Sequence, residues 1–153
     1  LAPRGRVRWL TAEEEVALRA AIDANPEWLE HMPECLIAVN TGRRLSEQCD
    51  LEWPQVDLER RVIRIPRSKH GEGRHVRLNE ETIIAFRQVL ARNGGIKRGR
   101  VFAHMTGTDA KRHEWFNETV AAAGIDDFRW HDLRHTFARR LVMDGVPRWK
   151  CRG

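Results

Sequence analysis

The sequence predicts an α+β fold, mostly α-helical, with one small three-stranded antiparallel β-sheet inserted early in the chain. Two observations carry this. Apolar residues recur at helical spacing over most of the length, while between Trp53 and Leu78 the period shortens to short runs broken by Gly and Pro. With 153 residues there is room for one domain with its own core, and no internal repeat, low-complexity tract or heptad array appears.

Residues 1–9 carry Arg4, Arg6 and Arg8 alongside Pro3 and Gly5, and they are expected to be a linker from a preceding domain, with the folded unit over 10–147. Thr11 and Glu14 form a capping box for a helix through about Ala24. Asn25-Pro26 breaks it. Trp28, Met32, Leu36 and Val39 then predict a second helix with a core stripe, stopped at Asn40-Thr41-Gly42. Arg43-Arg44-Leu45-Ser46-Glu47 begins a short third helix. Trp53–Val56, Arg61–Ile65 and Arg74–Leu78 read as three strands, the last two joined by a Gly-rich turn over Lys69–Gly73. Asn79 caps a helix to about Arg92, buried through Ile83, Phe86 and Leu90. A short extended piece at Val101–Ala103 and a loop over His104–Asp109 follow. A helix over Lys111–Ala123 is closed by Gly124, and a last helix runs from Trp130 to about Asp144, ended by Gly145-Val146-Pro147.

Charge narrows the partners. Lys and Arg outnumber Asp and Glu by 27 to 22, and the pI near 9.7 favours a polyanion. Across Arg60–Arg77 there are seven Lys/Arg residues against Glu72 alone, which makes the predicted hairpin a phosphate-facing surface as readily as a merely solvated one. No apolar run is long enough to span a bilayer and no signal pattern opens the sequence, so a soluble, cytoplasmic protein is expected. Cys35, Cys49 and Cys151 are odd in number and widely spaced, the pattern of thiols in a reducing compartment. His104, His113 and the cysteines lack metal-ligand spacing, and neither metal nor cofactor is expected.

The most informative stretch is Trp130–Arg140, WHDLRHTFARR. His131 and Arg134 stand one helical turn apart, so both can reach one anion, while Leu133, Phe137 and Leu141 supply a stripe for burial beside them. Alone, such a stretch is also what an amphipathic surface helix with a basic face looks like. Its company is more specific. Thr41-Gly42-Arg43-Arg44-Leu45-Ser46-Glu47, then a strand-rich segment with Arg67-Ser68-Lys69-His70-Gly71 and Arg74-His75-Val76-Arg77-Leu78, then His131-Asp132-Leu133-Arg134-His135-Thr136-Phe137-Ala138, together resemble the catalytic domain of the tyrosine recombinase (phage integrase) family. The resemblance covers the chain from about Val7 to Pro147.

The resemblance implies site-specific DNA breakage and rejoining through a phosphotyrosyl intermediate. By it, Arg44 and Arg134 bind non-bridging oxygens of the scissile phosphate, Lys69 protonates the departing 5′-oxygen, and His131 acts as acid or base and holds the phosphate. Arg67 or Arg74 is an alternative to Lys69 as the hairpin's phosphate contact. Arg67, Arg74, Lys111 and Arg112 are expected at the DNA backbone, Arg43 to be solvated or at that backbone with them, and Arg139 and Arg140 to be solvated or backbone-facing. Asp132 and His135 are assigned to packing and local hydrogen bonds. The chemistry is self-consistent, because two planar guanidiniums fit the equatorial oxygens of an in-line displacement and supply charge that a divalent ion would otherwise provide. The partner implied is double-stranded DNA, with homo-oligomeric assembly on it and localisation to the nucleoid when bound.

One departure from the family pattern is plain. The composition holds no Tyr, and 148–153 do not resemble the expected continuation, a helical stretch with a further His or Trp and then the nucleophile. The expectation is therefore a catalytic-domain fragment that binds DNA without cleaving it alone. A non-catalytic DNA-binding or interaction module is the alternative. A nuclease using His131 as base and water as nucleophile has no residue to position the water.

Overall fold

In the computed structural model the described residues are 7–65, 73–105 and 113–145. Among them the chain forms α1 (Ala12–Asp23), α2 (Pro26–Leu29), α3 (Met32–Thr41), α4 (Leu45–Cys49), a 3-10 turn at Trp53–Gln55, β1 (Val56–Asp57), β2 (Val62–Ile65), β3 (Arg74–Arg77), α5 (Glu80–Arg92), α6 (Glu114–Ala122) and α7 (Asp132–Met143). The three strands form one antiparallel sheet in the order β1-β2-β3. Val56 pairs with Ile63, and Ile63 with Val76, so the fully buried Ile63 lies at the centre of the sheet.

Helix α3 organises the packing, with α5 against one side and α7 against the other. Its Ile37 belongs to a core that also holds Leu51, Trp53, Ile63, Ile83, Phe86 and Phe102. Its Cys35, Ala38 and Val39 belong to a second core with Leu18, Ile22, Phe116, Trp130 and Leu133. In the second core the Phe116 and Trp130 rings meet edge to face at 5.1 Å. Burial raises the Cys35 thiol to about 12, so it behaves as a small apolar group.

Local chemistry explains most boundaries. Thr11 and Glu14 close the predicted capping box, with Glu14 N–H donating to the Thr11 hydroxyl and Thr11 N–H to the Glu14 carboxylate. Asn79 accepts from Thr82 N–H to start α5. Three predicted elements differ. The single helix expected through Trp28 and Val39 is two, because Pro33 has no N–H to carry the ladder through the Glu30-His31 turn. Trp28 and Met32 are consequently only partly buried, and Ile37 takes the central place. The first strand begins at Val56 because Pro54 holds Trp53–Gln55 in a 3-10 turn, with the Trp53 ring buried. Val101–Ala103 is a turn and not a strand, though Val101 and Phe102 are buried.

The folded unit reaches back into the stretch assigned to a linker. Arg8 donates to the Glu14 carboxylate and the Asp126 carbonyl, and its guanidinium lies over the Phe128 ring. Leu10 is buried, and its N–H donates to the Thr136 hydroxyl at 2.9 Å. No helix among the described residues is long and apolar enough to cross a membrane.

Candidate active site

The site forms where the end of α3, the start of α4, strand β3 and helix α7 come together around an open cleft of about 670 Å³. Backbone geometry starts it. Gly42, the C-cap of α3, has φ +66°, which turns the chain out of the helix into α4, and a Cβ there would overlap the Phe137 ring. The turn leaves the Gly42 carbonyl accessible, and Arg134 of α7 donates to it through Nη1 at 2.7 Å. A terminal carbonyl of α3 thereby gains a donor, and the guanidinium is fixed at the rim.

Glu47 gathers the other cations. Its carboxylate accepts from Arg44 N–H at 2.8 Å, which fixes the start of α4, and lies 3.8 Å from both Arg134 Nη1 and Arg74 Nη2. Arg74 reaches it from the start of β3, opposite Ile65. One carboxylate thus faces two guanidiniums, so the cluster is left with excess positive charge. Burial, then the charge of Arg44 and, more weakly, of Arg74 push the Arg134 guanidinium below its ordinary value against the opposing pull of Glu47. It stays protonated, and an arriving anion relieves the repulsion.

His131 sits immediately before α7, its ring 4.9 Å from that of His135. Burial pushes its pKa down, as do His135, Arg134 and Arg44, while Asp132 opposes. A neutral imidazole near pH 7 can donate one hydrogen bond and accept a proton. Arg44, Arg134 and His131 are thus near enough for charge on one to shift another. Asp132 is buried and accepts from Arg129 N–H at 2.8 Å, holding the turn into α7, and lies 3.3 Å from His135.

One of these cations falls elsewhere than the sequence implied, and others make contacts that it did not show. Arg43 is not solvated: it is 8% exposed and packs back on α4, donating to the Glu47 carbonyl at 3.1 Å. Its Nε and Nη1 have no hydrogen-bond partner among the described residues. Arg139 lies over the Trp9 ring at 4.5 Å, and Arg140 pairs with Glu15 while also lining the cleft. The α7 stripe is uneven, since Leu133 is buried but Phe137 and Leu141 are half-buried and line the cleft with Val39, Val76 and Leu78. Lys69, Arg67, Lys111 and Arg112 lie outside the described residues, as do the tail over 148–153 and most of the hairpin turn. Glu47, the carboxylate at the hub, drew attention in the sequence only as part of a motif. Its signal was its place three residues into α4, where it caps the backbone.

Guanidiniums of Arg74 and Arg134 line an open cleft on a helical domain with a three-stranded sheet, and such donors can hold an oxyanion. The chain belongs to the phage integrase family, whose model matches residues 8–150. It is 35% identical to the integrase of Salmonella phage P22 over 158 residues, spanning 93% of this chain and 38% of that protein. The same fold occurs in the catalytic domain of bacteriophage HP1 integrase, with 28% identity and a TM-score of 0.65 over 93% of this chain and 76% of that one. It occurs also in the Tn1549 transposon integrase in complex with a circular intermediate DNA, with a TM-score of 0.79, 22% identity, and 98% and 58% of the two chains covered. The chain spans well under half the length of the P22 relative.

Proposed function

We propose that this chain is the phosphodiester-gripping part of a site-specific recombinase that breaks and rejoins double-stranded DNA. The observation that carries the reading is the pair Arg74 and Arg134 facing the carboxylate of Glu47, with the charge of Arg44 felt by both Arg134 and the neighbouring His131. In this reading Arg44 and Arg134 take the non-bridging oxygens of one scissile phosphate, and charge that develops on those oxygens during in-line attack meets donors already in place. His131, neutral near pH 7, exchanges a proton or donates to the phosphate. Lys69 protonates the departing 5′-oxygen. Arg74 sets the pocket's edge, and Arg67, Lys111 and Arg112 meet the flanking backbone. Buried Arg43 acts through Glu47 and α4, not by direct contact.

The 153 residues hold no tyrosine, so a covalent phosphotyrosyl step draws its nucleophile from outside them. The proposed working form is a homo-oligomer on DNA in the cytoplasm. The test is a suicide DNA substrate incubated with the chain alone and with a tyrosine-bearing partner. Salt-sensitive DNA binding without a covalent adduct is expected from the chain alone; a covalent adduct formed by it alone overturns the assignment. The missing tyrosine also favours a second reading, a DNA-binding module without chemistry. Under that reading no partner restores cleavage, and Arg134→Ala leaves DNA affinity unchanged.

A further inference from the structure

The opposite end of α3 holds a second cluster, and it takes no part in the cleft. His31 ends the turn before α3, Glu34 lies in its first turn, and His104 arrives from the turn that follows Val101. His31 Nδ1 is 2.9 Å from Glu34 Oε1, and His104 Nε2 bonds the same oxygen. One donor atom from each residue lies within 4.8 Å of the others. Glu34 is 2% exposed, and its other oxygen, Oε2, is buried with no hydrogen-bond partner among the described residues. Both rings are held in place: His31 stacks on Trp115 at 4.9 Å and 16°, and His104 meets the edge of Phe102 at 6.2 Å.

We propose that His31, Glu34 and His104 bind a divalent transition-metal ion of the Zn²⁺ class, pinning the turn at 101–105 to the start of α3. Two imidazole nitrogens and a carboxylate are the donor set that borderline ions prefer, with a fourth position open to water on the exposed His104 side. Tetrahedral bonds to such an ion set neighbouring donor atoms roughly 3.3 Å apart. The observed donors lie within 4.8 Å of one another, so an ion entering in place of the bridging protons needs small side-chain adjustments, opening the contacts to Oε1 and closing the widest gap. The unpartnered Oε2 offers a second bond from the same carboxylate. Two influences oppose a cation here, the partial positive charge at the N-terminus of α3 and the Arg92 guanidinium, which donates to the Glu30 carbonyl and lies near His104. They favour micromolar over tighter binding. The site was not legible in the sequence because His104 is 70 residues from Glu34. Only the His31/Glu34 spacing was visible. The inference is independent of whether the chain grips DNA.

The test is calorimetric titration of the 153-residue chain with ZnCl₂, with Co²⁺ as a spectroscopic stand-in. One ion per chain is expected, with tetrahedral-type visible absorption from Co²⁺. Single His31→Ala and His104→Ala variants are expected to weaken Zn²⁺ binding by at least about tenfold. His104 is exposed, so its variant tests the site without threatening the fold. No saturable binding below about 0.1 mM Zn²⁺ overturns the proposal. So does binding that survives both substitutions, or that is lost in His131→Ala instead.

Discussion

The two ends of α3 each gather cationic or titratable side chains around one carboxylate, and the difference between them is one of balance. At the N-terminal end Glu34 is buried and both of its contacts are imidazoles. Burial pushes its carboxyl up, but the hydrogen bonds from His104 and His31 outweigh that and hold it below the usual range. In return the Glu34 bond raises His104 against its own burial. That end is a closed pair of contacts. At the C-terminal end Glu47 is partly exposed and faces the guanidiniums of Arg74 and Arg134, and the helix offers the Gly42 carbonyl as a further acceptor. Positive charge is left over, facing an open cleft. A carboxylate hub therefore neutralises where its partners are titratable, and merely organises where they are permanently charged.

The largest effect is expected from breaking the C-terminal end at its backbone. Gly42→Ala combines a left-handed φ with overlap of the Phe137 ring, and a loss of about 3 kcal/mol in stability is expected by urea unfolding. A loss below about 0.5 kcal/mol would mean that α7 shifts freely, and the fixed position of Arg134 would not stand. Next is Arg134→Ala, expected to weaken binding to duplex DNA by about 10- to 100-fold and to lower the slope of log affinity against log salt by about one. Arg134→Lys should recover little of it. A point charge cannot reach both the Gly42 carbonyl and a phosphate. Fluorescence anisotropy across a salt series reads both variants.

How much of this was legible in the sequence depended on how local each cause was. The capping of α1 by Thr11 and of α5 by Asn79 needs only residues within one turn, and both sit where the sequence put them. Gly42, Arg44 and Glu47 belong to one short motif, so the start of α4 was legible too. The break before α3 is written in Pro33, but the Trp28-to-Val39 stripe runs across it at unbroken helical spacing and masks it. The burial of Arg43 was not legible, because it depends on how the guanidinium packs on α4, and adjacent arginines look alike in sequence. That Glu47 faces both Arg74 and Arg134 needs contacts across the fold, which no spacing rule supplies.

The comparison can be sharpened through pH, because the two ends titrate differently. His131 is driven towards its neutral form by burial and by the charges of His135, Arg134 and Arg44. A bound phosphodiester supplies the opposite charge and raises its pKa, so binding takes up a proton. DNA affinity should rise as pH falls through the window between the bound and free pKa values, by about tenfold if the shift is one unit. Folding stability should move the other way. A histidine lowered in the folded state contributes fully above its unfolded pKa and loses that contribution as pH falls. His131→Gln should flatten the affinity profile while leaving the salt slope near that of the parent chain. A pH dependence that persists in His131→Gln would assign the proton elsewhere.

The smallest expected effect calibrates both hubs, because Glu14 is a carboxylate with one arginine. Arg8 bonds both of its oxygens, and that bond, with the Thr11 backbone N–H and against partial burial, lowers its pKa from 4.5 to about 2. Taken whole, such a shift corresponds to about 3 kcal/mol, but side chains 22% and 24% exposed are screened by water, and about 1 kcal/mol or less is the realistic contribution. The sign follows from the direction. A lowered carboxyl stabilises above its unfolded pKa and gives that up as pH falls from 4.5 towards 2. Glu14→Gln should therefore cost about 0.5–1 kcal/mol at neutral pH and nothing at the acid end of the window. Unfolding curves of the two chains should converge as the buffer is acidified. If the difference persists at the acid end, the variant has lost the capping of α1 and not the ion pair, and Glu14 ceases to be a one-to-one standard for the hubs at either end of α3.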